Sequence, residues 1–224
     1  SGLTEGEIED ARPYCELIRR WFNLHPEFSW LPGKFKIAIN GAKLDETALK
    51  IHDLGLRLGR NEKGELGFSV FVGGGLGAAA MIAAETASFV PVVDILSYLE
   101  SSLRIYNLKG RRDHQKKLRI KFLVRELGAT EFSRLVDEDW QQTKDDPDLK
   151  LNLNELESLK KDFALPIKPI DLDGFKDKVD FNYGIWKKNN VRSHKVSGHS
   201  IVNISLTKLG TAPGDATSEQ MRIL

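Results

Sequence analysis

Apolar positions along this chain recur mostly with helical spacing, interrupted by short alternating runs. Between Pro13 and Leu24, the residues Tyr14, Leu17, Ile18 and Trp21 fall on one face and predict a helix. His25-Pro26 stops it, because the residue before a proline is pushed out of the helical region. Phe35–Ile39 alternates like a strand and ends at Asn40-Gly41, after which Asp45 can cap a short helix to about Ile51. Leu54–Leu58 and Gly67–Val72 read as strands joined through a hairpin turn at Asn61–Gly64. The glycine cluster Gly73–Gly77 follows. Ala78–Ala87 is alanine-rich and predicts a helix on propensity. Asp94 caps a long helix to about Leu108, with Leu96, Leu99, Leu103 and Tyr106 facing the core. Leu118–Leu127 and Thr130–Gln142 are two more helices, broken at Gly128.

The pattern then changes. Thr143–Asn190 is rich in Lys and Asp, contains Pro147, Pro166 and Pro169, and holds one convincing helix, Glu155–Phe163. It predicts an extended arm laid over the domain, docked through Phe175, Phe181, Tyr183 and Trp186. From Ser200, alternation of Ile201, Val202, Ile204 and Leu206 opens a new strand, and Asp215 and Ser218 offer helix starts. The expected division is therefore 1–142 as an α+β domain, 143–190 as a connecting arm, and 191–224 as the start of a second unit. The chain opens without methionine and closes without a helix stop, as expected of a piece of a longer protein.

Composition narrows the function classes. The 224 residues include 41% apolar and 29% charged residues, enough for a real core. The net charge of +1 leaves no global field to attract nucleic acid or membrane, so any electrostatic role is local. Apolar stretches are too short to span a bilayer. The single cysteine, Cys15, excludes a disulfide and a cysteine metal cage, and fits a reducing, cytoplasmic setting. The five histidines are scattered without zinc-site spacing, and neither a nucleophile elbow nor a phosphate-loop lysine is present.

The local charge lies in Gly110–Lys121, which carries six positive charges and one negative between two helical stretches. A basic run at a helix start suits a small or multiply charged anion, since free N–H groups there also favour negative charge. A solvated helix face is the plain alternative. Arg119 and Lys121 form the sharpest pair. On an ideal helix, side chains two residues apart point ~200° apart, so both reach one anion only from a helix entry. Arginine supplies a fixed fork of donors, and lysine a mobile ammonium able to transfer a proton. Gly73-x-Gly75-x-x-Ala78 fits a dinucleotide fingerprint, with Asp94 near the acidic position. Against that, the preceding strand is the second arm of a hairpin, and Pro91 spoils Phe89–Val93 as a central parallel strand. A tight turn allowing close approach to something flat or anionic is the better reading.

Several segments taken in order resemble the sirohaem-dependent nitrite and sulfite reductases: Ala11–Glu16, His25–Phe28, Leu31–Ile37, Gly64–Gly67, Val72–Leu76, Asn107–Asp113, Arg119–Lys121 and Pro213–Thr217. The resemblance implies a mixed sheet with flanking helices, followed by the start of a ferredoxin-like half from about Val191. It implies a parent about twice this length or more, built of two pseudo-repeats around a sirohaem and a 4Fe-4S cluster. That parent would carry out six-electron reduction of sulfite to sulfide or of nitrite to ammonia, taking electrons from ferredoxin or a flavoprotein subunit. Arg119 and Lys121 match the basic residues that face the anion at the iron. Arg112, Lys116, Gly73, Gly74 and Gly75 are assigned to the sirohaem side. The cluster cysteines would follow Leu224, so this chain alone is expected to hold no cofactor and to be inactive. Departures are Gly33, where the family usually has arginine, and Ala78–Ala80, where it often has a polar segment. Two other readings stay open: a non-catalytic anion- or tetrapyrrole-binding module, and a dinucleotide-binding domain built on Gly73–Ala78.

Overall fold

The computed structural model describes residues 2–164, 181–206, 210, 212 and 215–223. Contacts divide the chain into two units: Ser1–Gly2 with Gly6–Pro166, and Leu3–Glu5 with Ile167–Leu224.

In the larger unit, period-two alternation sets the sheet. Strands β1 (Ile37–Asn40), β2 (Leu54–Arg60), β3 (Leu66–Val72) and β4 (Ala84–Pro91) lie in that order. β1 and β2 are parallel, while β2–β3 and β3–β4 are antiparallel, so the sheet is mixed. Leu54, Leu56 and Leu58 of β2 and Phe68, Val70 and Val72 of β3 turn one face into the main core. On the other face, Phe71 packs with Leu49 and Ala83 in a small second cluster.

Helices α1 (Arg12–Leu24), α2 (Ile95–Lys109), α3 (Ile120–Leu127), α4 (Ala129–Thr143) and α5 (Leu153–Asp162) flank the sheet. α1 begins with Pro13 in its first turn, where the missing N–H costs nothing, and packs Tyr14 edge-on against Phe68 at 5.6 Å. α2 is buried along nearly its whole length and forms the centre of the unit. Gly128, at φ +83°, breaks α3 from α4. The Asp45 carboxylate accepts the Leu49 N–H as expected, though the helix it precedes is one 3-10 turn, Leu49–Ile51.

Three expectations are corrected. Ala78–Ala87 is not helical: it ends in β4, because pairing with β3 overrides alanine's propensity. Pro91 closes β4 opposite Gly67 at the sheet edge, where a missing ladder donor is tolerated. With no helix after the glycines and an antiparallel hairpin before them, the dinucleotide reading fails. Finally, Thr143–Asn190 holds a second helix, α6 (Phe181–Asn190), and a 3-10 turn at Pro147–Leu149, besides α5. Its Phe181 is exposed rather than docked, and Phe175, Pro166 and Pro169 lie outside the described residues.

The smaller unit contains α6, the antiparallel pair β5 (Val191–Ser193) and β6 (Ser200–Val202), and α7 (Ser218–Ile223), with Thr4 bridging to His194. β6 stops at Val202, short of Ile204 and Leu206.

One charge cluster ties α2 to α4. Glu100 is 6% exposed, and Arg104 holds it at 2.6 Å while reaching Asp139 at 2.8 Å. Replacing Arg104 with Gln leaves a buried carboxylate without its cation. Chemical denaturation is expected to register a loss of roughly 2–3 kcal/mol, below the full cost for wholly buried pairs because the guanidinium is partly solvated.

Candidate anion-binding site

The basic run leaves α2 at Gly110 and re-enters helix at Ile120. Arg119 is the residue before α3, in extended conformation (φ −67°, ψ 150°), and Lys121 is the second residue inside it. This break in helical geometry is what lets two side chains two residues apart serve one place. Tyr106 of α2 fixes the entry: its buried phenol donates to the Leu118 carbonyl at 2.8 Å. Burial first, and then the Asp53 charge, push that phenol up to about 12.

Both cations meet the glycine turn after β3. Gly73, at φ +94°, is in the left-handed region, and its N–H donates to the Asp53 carbonyl at 2.9 Å. A Cβ on Gly74 would lie 2.3 Å from the Lys50 carbonyl oxygen and 2.5 Å from that of His52. A Cβ on Gly75 would lie 3.0–3.1 Å from Nη2, Cζ and Nη1 of Arg119, so the guanidinium lies flat against this glycine. Gly75 and Met81 then exchange backbone hydrogen bonds of 2.9 and 2.8 Å, closing a small loop. Inside it, Lys121 Nζ donates to the Leu76 carbonyl at 3.2 Å and to that of Ala79 at 2.7 Å. The loop therefore contacts the cation through its backbone, and the alanines at 78–80 do not alter that contact.

Lys121 is 3% exposed. Burial lowers its pKa from the ordinary lysine value; Arg119 and Arg125 act the same way, and Asp53 opposes them. Arg119 is anchored from below. Its Nε and Nη2 both lie 2.9 Å from Oδ1 of Asp53, a carboxylate with no exposed surface. The other oxygen, Oδ2, accepts the Lys36 N–H at 3.0 Å.

Sequence reasoning missed Asp53. The available signal was an acidic residue opening an otherwise apolar strand, which demands a cation nearby. The remaining assigned residues lie elsewhere on the run. Arg112 is exposed and uses Nη2 on the Trp30 carbonyl (2.9 Å) and on Asn107, tying the end of α2 to the loop before β1. Lys116 is exposed in a 3-10 turn, its N–H received by His114 Nδ1. The Gly33 departure also has a packing reason, since a Cβ there would lie 3.0 Å from Leu118 Cβ. Among the described residues no group of three or more His, Cys, Asp or Glu could hold a metal, and no helix is long and apolar enough to cross a membrane.

Two predictions follow from this geometry. Gly74→Ala is expected to cost roughly 2–3 kcal/mol, since backbone atoms cannot move aside cheaply. Gly77→Ala, at φ +100° with nothing within 4 Å, is expected to cost only about 1 kcal/mol of backbone strain. Urea titration of both variants separates the two cases. The second concerns pH. At neutral pH both folded and unfolded chains carry the Lys121 charge, and the folded chain bears the full burial cost. As pH rises through the lowered value toward the ordinary lysine value of about 10.4, the folded chain sheds its proton first, so stability rises. Unfolding free energies of wild type and Lys121→Met are therefore expected to shift in wild type's favour with alkalinity. A difference independent of pH would contradict a depressed Lys121.

The comparisons with known proteins agree in direction. The family profile described as "Nitrite and sulphite reductase 4Fe-4S domain" matches residues 1–144. Sulfite reductase [ferredoxin] 1 of Mycolicibacterium paratuberculosis is 29% identical over 62% of this chain and 25% of its own length. The chloroplastic ferredoxin–nitrite reductase of Arabidopsis thaliana is 29% identical over 59% of this chain and 23% of its own. The solved structure of the Mycobacterium tuberculosis NirA protein superposes with a TM-score of 0.56 at 27% identity, over 63% of this chain and 26% of that one. The chain thus spans about a quarter of the length of the curated relatives it matches. With the family profile covering more than half of its residues and the mixed sheet in agreement, this chain belongs to the nitrite and sulphite reductase family.

Proposed function

We propose that this chain supplies the cationic grip on the substrate anion in a sirohaem- and 4Fe-4S-dependent reductase that converts sulfite to sulfide or nitrite to ammonia. The observation that carries it is the joint seating of Arg119 and Lys121 on one glycine turn. The relatives' names, sulfite reductase [ferredoxin] and ferredoxin–nitrite reductase, support the substrate class and a ferredoxin-type donor, with a flavoprotein subunit as the other candidate. The single cysteine suits a reducing compartment, and we assign the parent to the cytoplasm, noting that the Arabidopsis relative is named as chloroplastic. We further assign residues from about 191 to the start of a second, ferredoxin-like repeat.

The two cofactors fit this chain differently. One exposed cysteine cannot ligate a four-iron cluster, so the cluster belongs to other parts of the parent. We assign Arg112 and Lys116, exposed cations of the basic run, as the candidate holders of a macrocycle bearing carboxylates. When bound, it would supply the iron that takes up the anion and delivers electrons to it.

What the chain's own residues do follows from their donors. Arg119 has five N–H donors, and Asp53 engages only one edge, so the outer edge remains to hold an anion. It cannot release a proton at working pH. Lys121 has three, and two are spent on the Leu76 and Ala79 carbonyls, which aim the third. Its depressed pKa makes it the better proton donor of the two.

The test is steady-state reduction of sulfite and of nitrite by the full-length enzyme, with cofactor content checked first. Arg119→Lys is expected mainly to raise KM. Lys121→Met is expected to lower kcat at saturating substrate. Each lost contact to a desolvated anion is expected to cost roughly 2–4 kcal/mol, by analogy with oxyanion donors. Wild-type kinetics in both variants would remove the pair from the active site and favour a non-catalytic tetrapyrrole-binding module.

A further inference from the structure

The buried acid beneath the cation pair has no part in the mechanism above, yet it is the most constrained charge in the unit. Asp53 has no exposed surface, and both its oxygens are committed: Oδ1 to the Nε/Nη2 edge of Arg119, Oδ2 to the Lys36 N–H. Its backbone is held as well, since its carbonyl accepts the Gly73 N–H, and the next residue, Leu54, donates to the Lys36 carbonyl. Asp53 therefore cannot follow Arg119 if that side chain moves. Arg119 must come to it.

We propose that Asp53 is a positioning residue for anion binding: it fixes the angle of the Arg119 guanidinium so that its outer edge, rather than its Nε edge, faces the anion. This rests on Arg119 being an anion ligand.

Geometry supports it on two sides. A single carboxylate oxygen bridging Nε and Nη2 sets the in-plane direction of the fork. Gly75, flat against Nη1, Cζ and Nη2, sets the plane itself. Together they fix a side chain that otherwise keeps several rotatable bonds, and fixing donors before the ligand arrives is where preorganised sites gain affinity. A carboxylate beside an anion site is otherwise unfavourable, because it cancels part of the attracting charge. A role in direction accounts for its presence, whereas a role in attraction does not.

That contrast gives the experiment its sign. Removing a negative charge by Asp53→Asn strengthens anion binding if only charge matters, and weakens it if orientation matters. The measurement is the sulfite dissociation constant of the oxidised full-length holoprotein by calorimetry, in wild type, Asp53→Asn, Arg119→Ala and the double variant. Expected is roughly tenfold weaker binding for Asp53→Asn in the wild-type background, a misplacement-sized effect, and less than about twofold once Arg119 is absent. KM is expected to follow the dissociation constant, with kcat changing less. Unchanged or tighter binding by Asp53→Asn, while Arg119→Ala weakens it, would overturn the positioning role and leave Arg119 as a ligand. Equal losses in both backgrounds would overturn it too, as a structural effect. Unchanged binding in Arg119→Ala would overturn the ligand reading itself, and with it the role of Asp53. If Asp53→Asn fails to load cofactor, Asp53→Glu keeps the charge and shifts the fork by one methylene. Wild-type sulfite affinity in that variant would overturn the proposal, and a loss that vanishes without Arg119 would support it.

Discussion

A carboxylate with no exposed surface is the constraint around which this unit is arranged. Burying an ionised group costs several kcal/mol unless a cation and hydrogen-bond donors meet it, and Asp53 recruits both. The Lys36 N–H comes from the segment leading into β1, the Gly73 N–H meets its carbonyl from the end of β3, and the Arg119 guanidinium arrives from the start of α3. Three segments far apart in sequence thereby converge at the start of β2. Displacing Arg119 would strand a charge in the interior, and displacing either N–H would leave a buried acceptor unpaired.

The glycine turn is the second half of the same arrangement. Its glycines are required by close approach to the protein itself: Gly74 against the backbone carbonyls of Lys50 and His52, Gly75 against the face of Arg119. The loop it closes then presents two carbonyls to a lysine that the core would otherwise exclude. A buried ammonium needs such acceptors as much as a buried carboxylate needs donors. Arg119 and Lys121 are thus held by opposite means, one by a full negative charge and one by neutral dipoles. That difference suits one to staying charged and the other to exchanging a proton.

Much of this was legible in the sequence because the local signals and the tertiary structure agree. His25-Pro26 ends α1, Gly128 separates α3 from α4, and the alternating residues of β2 and β3 turn their apolar face to the core. The misses share one cause, which is that tertiary partners decide them. Ala78–Ala87 has the composition of a helix, but β3 offers it a ladder. Asp53 is a single letter before an apolar strand, and its importance depends on an arginine 66 residues away. Pairing of that kind leaves no periodic trace.

The way the two cations are anchored bears on the role proposed for them. If the proposed reduction takes place at this site, the charge and shape of the bound species change at every step, and an anion grip that moved would lose its geometry. A guanidinium fixed between a buried carboxylate and a glycine face is well constrained, because its anchors are backbone-held just before β2 and just after β3. The Lys121 ammonium is held instead by two neutral carbonyls of a short loop, which leave its third N–H uncommitted to them. Opposite anchoring of two cations two residues apart, one by a carboxylate and one by carbonyls, is what placing Arg119 just outside α3 and Lys121 just inside it achieves.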